Sequence, residues 1–212
     1  MWGRGWGGSV GRVAMSAAVA QPGETKELRL VVVCYGGVSL AIYMHGTTKE
    51  LHRLVKASAL PDRHADDAAY GPSERVYHNL LQDLKNLHPD KVRTRVVVDI
   101  ISGTSAGGIN GVYLAKALAH NRSQDALRDL WLDKGDIGTI MCGWKRIPWK
   151  ARAPWLLLRA RRKAPLHGDR MSVWLYDALQ DMDKERKPAD VLTLMPPGHL
   201  LELYVTTTDF YG

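Results

Sequence analysis

The residues best suited to chemistry are concentrated in one short stretch with the pattern GxSxG. A β-branched apolar run precedes this stretch, and apolar residues resume at helical spacing after it. A strand, GxSxG and a helix in that order predict a nucleophile elbow, a sharp turn that exposes a serine hydroxyl while glycines let strand and helix approach. The pattern therefore predicts Ser105 as a nucleophile at the positive end of a helix. The predicted elbow comprises Gly103, Thr104, Ser105, Ala106 and Gly107.

The elements that must position this serine can be read from the hydrophobic periodicity. Apolar runs predict strands at Glu27–Cys34 and Leu200–Thr208, and a further strand directly before the elbow. Amphipathic spacing predicts a helix directly after the elbow. It predicts further helices at Ser39–Ala57, Glu74–His88, Ser123–Asp133 and Met171–Met182. Strands that alternate with helices predict an α/β fold in which a parallel sheet is flanked by helices.

The domain organisation follows from the same pattern. Residues 1–24 are rich in glycine and lack a long apolar run, so we interpret them as a disordered N-terminal extension. Residues 25–212 are then predicted to form one α/β domain that carries the elbow. Because the chain ends just after a predicted core strand, we expect this domain to be truncated at its C-terminus.

The positive charge of the chain is local. The net charge is +7, and between Asp136 and Asp169 there are basic residues but no acidic ones. They are Lys145, Arg146, Lys150, Arg152, Arg159, Arg161, Arg162 and Lys163. Interleaved with tryptophans over Trp144–Lys163, these charges suit an anionic membrane surface. No nucleic-acid-binding motif accompanies them, so no nucleic acid partner is expected.

Composition also bears on compartment and cofactors. No apolar run approaches the roughly 20 residues that cross a bilayer. The two cysteines, Cys34 and Cys142, form neither a disulfide framework nor a metal-binding pattern. We therefore predict a cytoplasmic protein, peripheral on a membrane at most, with no metal and no cofactor.

Two segments resemble the patatin-like phospholipases, in particular the long bacterial patatin-related proteins. They are the glycine turn VVVCYGGVSLAIYMHG (Val31–Gly46) and the elbow DIISGTSAGGING (Asp99–Gly111). With the strand ELYVTTTDFYG, the resemblance covers roughly residues 27–212. It implies a three-layer α/β fold and a serine hydrolase of lipid esters that uses a Ser–Asp dyad without histidine. It further implies that Ser105 attacks the ester and that backbone N–H groups of Gly36 and Gly37 bind the oxyanion.

The sequence departs from the family pattern in two places. The family's glycine loop usually carries a cation after G-G-x, whereas Gly36-Gly37-Val38 is followed by Ser39 and Leu40. The dyad aspartate of the family lies in an Asp-Gly-Gly or Asp-Gly-Ala motif, and neither motif occurs in these residues. The dyad aspartate is therefore not in this chain, which predicts that the chain alone is inactive.

Two other readings are open at this stage. In an α/β-hydrolase, Asp190 and His199 would complete a triad with Ser105 in the required order. Alternatively, the chain is a non-catalytic, membrane-associated scaffold whose functional part is Trp144–Lys163. Five other histidines fall on predicted helices, where solvated or capping roles are expected: His45, His52, His78, His88 and His120.

Overall fold

The structure is a computed structural model that describes residues 25–59, 70–135, 148–160, 168–184 and 193–207. The strands are β1 (Thr25–Cys34), β2 (Arg93–Thr104) and β3 (Glu202–Thr206). The helices are α1 (Ala41–Ala59), α2 (Pro72–Leu87), α3 (Ala106–His120), α4 (Asp125–Lys134), α5 (Arg152–Ala160) and α6 (Gly168–Lys184). Short 3₁₀ turns at Val38–Leu40 and Trp149–Ala151 precede α1 and α5. In the described residues, no helix is long and apolar enough to cross a membrane.

The three strands form one parallel sheet in the order β1-β2-β3. Cys34 at the end of β1 pairs with Gly103, and Gly103 pairs with Val205 of β3. The carboxyl ends of all three strands therefore meet at one edge of the sheet, and the predicted elbow follows the central strand. The predicted α/β fold class is confirmed.

Two apolar clusters hold helices against the sheet. In the first, Val98 and Ile101 of β2 pack with Leu114 of α3 and Val55 of α1. In the second, α3 packs against α1, α4 and α6; its buried members include Ala106, Tyr113, Ala117, Leu130, Trp131 and Met182. Helices α1 and α3 both contribute to the two clusters, so the helix that follows Ser105 is packed against the sheet and against the other helices.

Two local features differ from what the periodicity favours. The apolar stripe of α2 lies outward, with Val76 65% and Leu87 81% exposed, while Glu74 and His78 are buried. Glu74 caps α2 through the Gly71 N–H at 2.7 Å and pairs with Lys56 of α1 at 3.2 Å. The interface between α1 and α2 is therefore held partly by polar contacts. Helix α5 lies in a region where no regular element is predicted, because prolines and many charges interrupt the apolar periodicity there.

The expectation that the helical histidines are solvated is wrong for three of them. His45, His52 and His78 are all buried. Burial lowers the pKa of His45 to about 4 and that of His52 to about 3. Neither ring nitrogen of His45 has a hydrogen-bond partner among the described residues. At neutral pH both rings are therefore uncharged packing groups in α1.

The elbow depends on close backbone contacts. A Cβ atom on Gly107 would lie 2.2 Å from the carbonyl oxygen of Cys34, and one on Gly103 would lie 2.5 Å from the carbonyl oxygen of Gly107. Gly108 is similarly close to β3, because its Cβ would lie 2.9 Å from a methyl group of Val205. Only glycine allows the start of α3 to approach the ends of the strands this closely.

We therefore expect Gly107→Ala to lower the free energy of unfolding by about 3 kcal/mol, because backbone atoms must move to admit the methyl group. Gly46→Ala is the matched control, since a Cβ there meets nothing within 4 Å. Because Gly46 lies inside helix α1, that control should be stabilising by about 0.5–1 kcal/mol. Urea denaturation followed by circular dichroism measures both. Equal midpoints for the two variants would contradict the contact.

Candidate active site

Ser105 stands at the turn between β2 and α3 in a strained conformation. Its backbone angles are φ 54° and ψ −125°, and it is one of the non-glycine residues with positive φ in the described chain. Such angles are costly for a residue with a Cβ and persist where surrounding contacts enforce them. Here the carbonyl oxygen of Ser105 accepts the first helical hydrogen bond, from Ile109 N–H at 3.1 Å. The residue is exposed, so the turn presents the serine to solvent.

The glycine turn lies directly beside this serine. Because β1 and β2 end in register, a Cβ on Gly36 would lie 3.3 Å from the Cβ of Ser105 and 3.1 Å from the carbonyl oxygen of Thr104. Gly37 has φ 138°, a conformation that residues with side chains rarely adopt. The structure thus brings together Gly36 and Ser105, two of the residues singled out in the sequence. The backbone at Gly36 therefore passes so close to the end of β2 and to Ser105 that little room is left for a side chain there.

Asn110 joins the two halves of this site and was not singled out in the sequence. It is fully buried, and its Nδ2 donates to the carbonyl oxygen of Ala41 at 3.3 Å and to that of Ala106 at 3.0 Å. The first bond reaches the start of α1, just after the glycine turn, and the second reaches the first residue of α3. The sequence feature that could have indicated Asn110 is that it is a lone amide side chain in an apolar helix, about one and a half turns after Ser105.

The third strand also ends at this site. Thr104 and Thr206 share a hydrogen bond of 2.5 Å between their hydroxyl groups, so the chain leaves β3 close to the turn at Ser105. Asp209, which follows shortly after, lies outside the described residues, as does Asp190.

In the described part of the chain, no side chain hydrogen-bonds to the Ser105 hydroxyl. Asp169, which would be considered as a base if one lay within the chain, is exposed in the first turn of α6. Cys34 is not a rival nucleophile, because burial raises the pKa of its thiol and keeps it protonated at neutral pH. Among these residues, no group of three His, Cys, Asp or Glu side chains could hold a metal ion.

The triad hypothesis that includes His199 is wrong. Nε2 of His199 lies 3.2 Å from Asp99 and 3.3 Å from the carbonyl oxygen of Val98. Val98 lies six residues before the end of β2. At the rise of a strand, this places it about 20 Å from the turn at Ser105. His199 therefore cannot take the proton of Ser105.

Comparison with known proteins places these observations in a family. The family model described as patatin-like phospholipase matches residues 32–211. An uncharacterized membrane protein of Mycobacterium tuberculosis is 36% identical over 162 residues, which cover 71% of this chain and 14% of that protein. The chain thus spans a small part of the length of this relative. No solved structure matches the chain.

The match includes the glycine turn, the elbow and all of β2 and β3, and it covers well over half of the chain. The chain therefore belongs to the patatin-like phospholipase family.

Proposed function

We propose that this protein is a serine acyl hydrolase of lipid esters in which Ser105 is the nucleophile. The observation that carries the proposal is the strained, exposed Ser105 with Gly36 against it. A substrate carbonyl above Ser105 would lie between the glycine turn and the first turn of α3, whose initial N–H groups have no acceptor within the helix. Family membership supports a lipid as the substrate.

The reaction has two halves. The Ser105 hydroxyl oxygen adds to the ester carbonyl carbon while a base takes its proton, and N–H groups of Gly36 and Gly37 donate to the oxyanion. Collapse of this adduct breaks the ester bond, and the leaving alcohol receives the proton. A water molecule then attacks the acyl-serine with help from the same base and releases a fatty acid. Loss of one oxyanion donor typically costs 10²–10³-fold in kcat.

The base is proposed to be an aspartate outside these residues, in line with the Ser–Asp dyad of the resemblance. The chain holds no Asp-Gly-Gly or Asp-Gly-Ala motif, and no described side chain bonds to the Ser105 hydroxyl. A serine hydroxyl is a weak nucleophile without a base.

We expect Ser105→Ala to abolish ester hydrolysis by the complete protein while its circular dichroism spectrum stays unchanged, because an exposed hydroxyl contributes little to packing. A fluorophosphonate probe should label the wild type and not this variant. Ser39→Ala is the matched control, since Ser39 is an exposed serine near the same edge of the sheet. Equal labelling of the wild type and Ser105→Ala would reject the nucleophile and favour the scaffold reading.

The dyad proposal predicts that the 212-residue chain turns over a p-nitrophenyl ester at least about 10²-fold more slowly than a polypeptide extended through the next Asp-Gly motif of the gene. A placed base contributes typically 10²–10⁴-fold. Comparable turnover, lost on Ser105→Ala, would instead mean that the base lies within the chain. Asp209, Asp169 and Asp190 would then be replaced by asparagine in that order.

A second proposal concerns how the protein reaches a lipid surface. Trp149 is 74% exposed beside Lys150, and Leu157 and Leu158 of α5 are 73% and 67% exposed. Apolar side chains among basic ones are typical of helices that lie in the interface of an anionic bilayer. We propose that α5 and the flanking basic residues hold the protein on such a membrane, as peripheral association rather than insertion.

Co-sedimentation with vesicles tests this surface. Replacing Arg159, Arg161, Arg162 and Lys163 by glutamine should lower binding to vesicles of mixed anionic and neutral lipid, and binding should fall as salt rises, because exposed charges are screened over about 10 Å at 0.1 M salt. The matched control removes four exposed charges elsewhere: Lys26, Arg75, Lys91 and Arg170. Equal loss in both variants, or equal binding to neutral vesicles, would reject the surface.

A further inference from the structure

The strand that leads to Ser105 contains one extra residue relative to its neighbour. Leu30 of β1 pairs with Val98, but the next residue, Val31, pairs with Ile100. Asp99 therefore has no partner on β1 and forms a β-bulge in a parallel pair, where bulges are rare.

This bulge changes which residues of β2 face the helices. Before it, Val96 and Val98 are buried in the cluster with α1 and α3, and after it Ile101 joins the same cluster. Two residues further on, Gly103 is buried as well, while Ile100, Ser102 and Thr104 are more exposed. A change of one residue in register moves every following side chain to the opposite face.

The elbow needs Gly103 on the helix side. There it passes so close to Gly107 that a Cβ would lie 2.5 Å from the carbonyl oxygen of that residue. Without the bulge, a residue with a side chain would occupy this contact, and the turn at Ser105 could not form as it does. The bulge at Asp99 thus determines how the nucleophile is presented.

Side chains from both sides hold the bulged residue. Arg29 of β1 donates twice to Asp99, from Nε to Oδ2 at 2.8 Å and from Nη2 to Oδ1 at 2.7 Å. With its proton on Nε2, His199 donates to Oδ1 of Asp99 at 3.2 Å and to the carbonyl oxygen of Val98 at 3.3 Å. Its Nδ1 faces Nη2 of Arg29 at 3.4 Å. The three side chains join β1, β2 and the loop before β3.

The contact between Arg29 and Asp99 is of a kind that fixes the positions of both side chains. A bidentate arginine–carboxylate pair defines both the distance and the orientation of its partners. The Arg29 guanidinium, by hydrogen bonding, holds the pKa of the Asp99 carboxyl below its ordinary value, so the carboxylate stays charged in mild acid. Since Arg29 is about half exposed, the pair contributes little to overall stability.

We propose that Arg29 and Asp99, steadied by His199, are positioning residues for Ser105: their contact fixes the bulge that places Gly103 and the nucleophile turn. The inference rests on the proposed role of Ser105 as nucleophile. None of the three side chains touches the reacting atoms, because Asp99 lies about 20 Å along the strand from Ser105. The effect of losing the contact should therefore fall on kcat and not on KM.

The test is made in the complete protein and replaces Asp99 by its near-isostere, Asp99→Asn, and Arg29 by Arg29→Met. We expect each variant to lose about tenfold in kcat per active site titrated with a fluorophosphonate, with KM unchanged, because small displacements of a reacting group are costly. Titration excludes misfolded molecules from the comparison. The double variant should lose no more than either single variant, since both remove the same contact. Glu27→Gln is the matched control, because Glu27 lies 3.4 Å from Arg29 and does not touch Asp99.

A second measurement does not depend on activity. Hydrogen exchange of the amides from Asp99 to Thr104 should become faster in Asp99→Asn and stay as in the wild type in Glu27→Gln. Wild-type kcat per titrated site in both Asp99→Asn and Arg29→Met would overturn the positioning role and leave the nucleophile standing. Wild-type hydrolysis that does not depend on Ser105 would overturn the nucleophile, and this inference with it.

Discussion

The close approach of three backbone segments at one point is the constraint on which the rest of the structure depends. The end of β1, the end of β2 and the start of α3 come together so tightly that Gly107 contacts the carbonyl oxygen of Cys34 and Gly103 contacts that of Gly107. This crossing leaves Ser105 no relaxed conformation, and φ 54° is the result. The strain at the serine is therefore imposed by packing around it, and the cluster that α3 shares with β2 and α1 offsets its cost.

The polar contacts around this close approach each connect two different backbone segments. Asn110 links the starts of α1 and α3, the hydroxyl pair of Thr104 and Thr206 links β2 to β3, and Arg29 links β1 to the bulge at Asp99. In the described chain none of these side chains is itself placed as a base for Ser105. These side chains thus hold the backbone segments in place, and in the proposed reaction the chemistry falls to Ser105, the glycine amides and a base outside this set.

Much of the fold could be predicted because its signals are local. The apolar runs of β1 and β2, the helix after the elbow and the residue types of GxSxG each reveal their structure within a few positions. The bulge at Asp99 could not be predicted, since it is a relation between two strands far apart in sequence. The same holds for His45 and His52, whose burial depends on which helices pack against α1, and for the apolar stripe of α2. That stripe predicts a helix correctly, but the periodicity does not say that Val76 and Leu87 point outward while Glu74 points inward.

The parallel arrangement of β1 and β2 has a consequence for the order of folding. Strands that run in the same direction are joined through a long crossover, here containing α1 and α2, so the contact between Cys34 and Gly107 joins residues distant in the chain. Contacts of this kind form late, because the entropy of closing the intervening loop must be lost first. Helices α1, α2 and α3 can each begin from local interactions, whereas the strained serine can exist only after the strands have paired. A nascent or partly unfolded chain would therefore carry Ser105 in a relaxed conformation. Under the proposed role of Ser105 as nucleophile, reactivity at this residue would report the completed sheet.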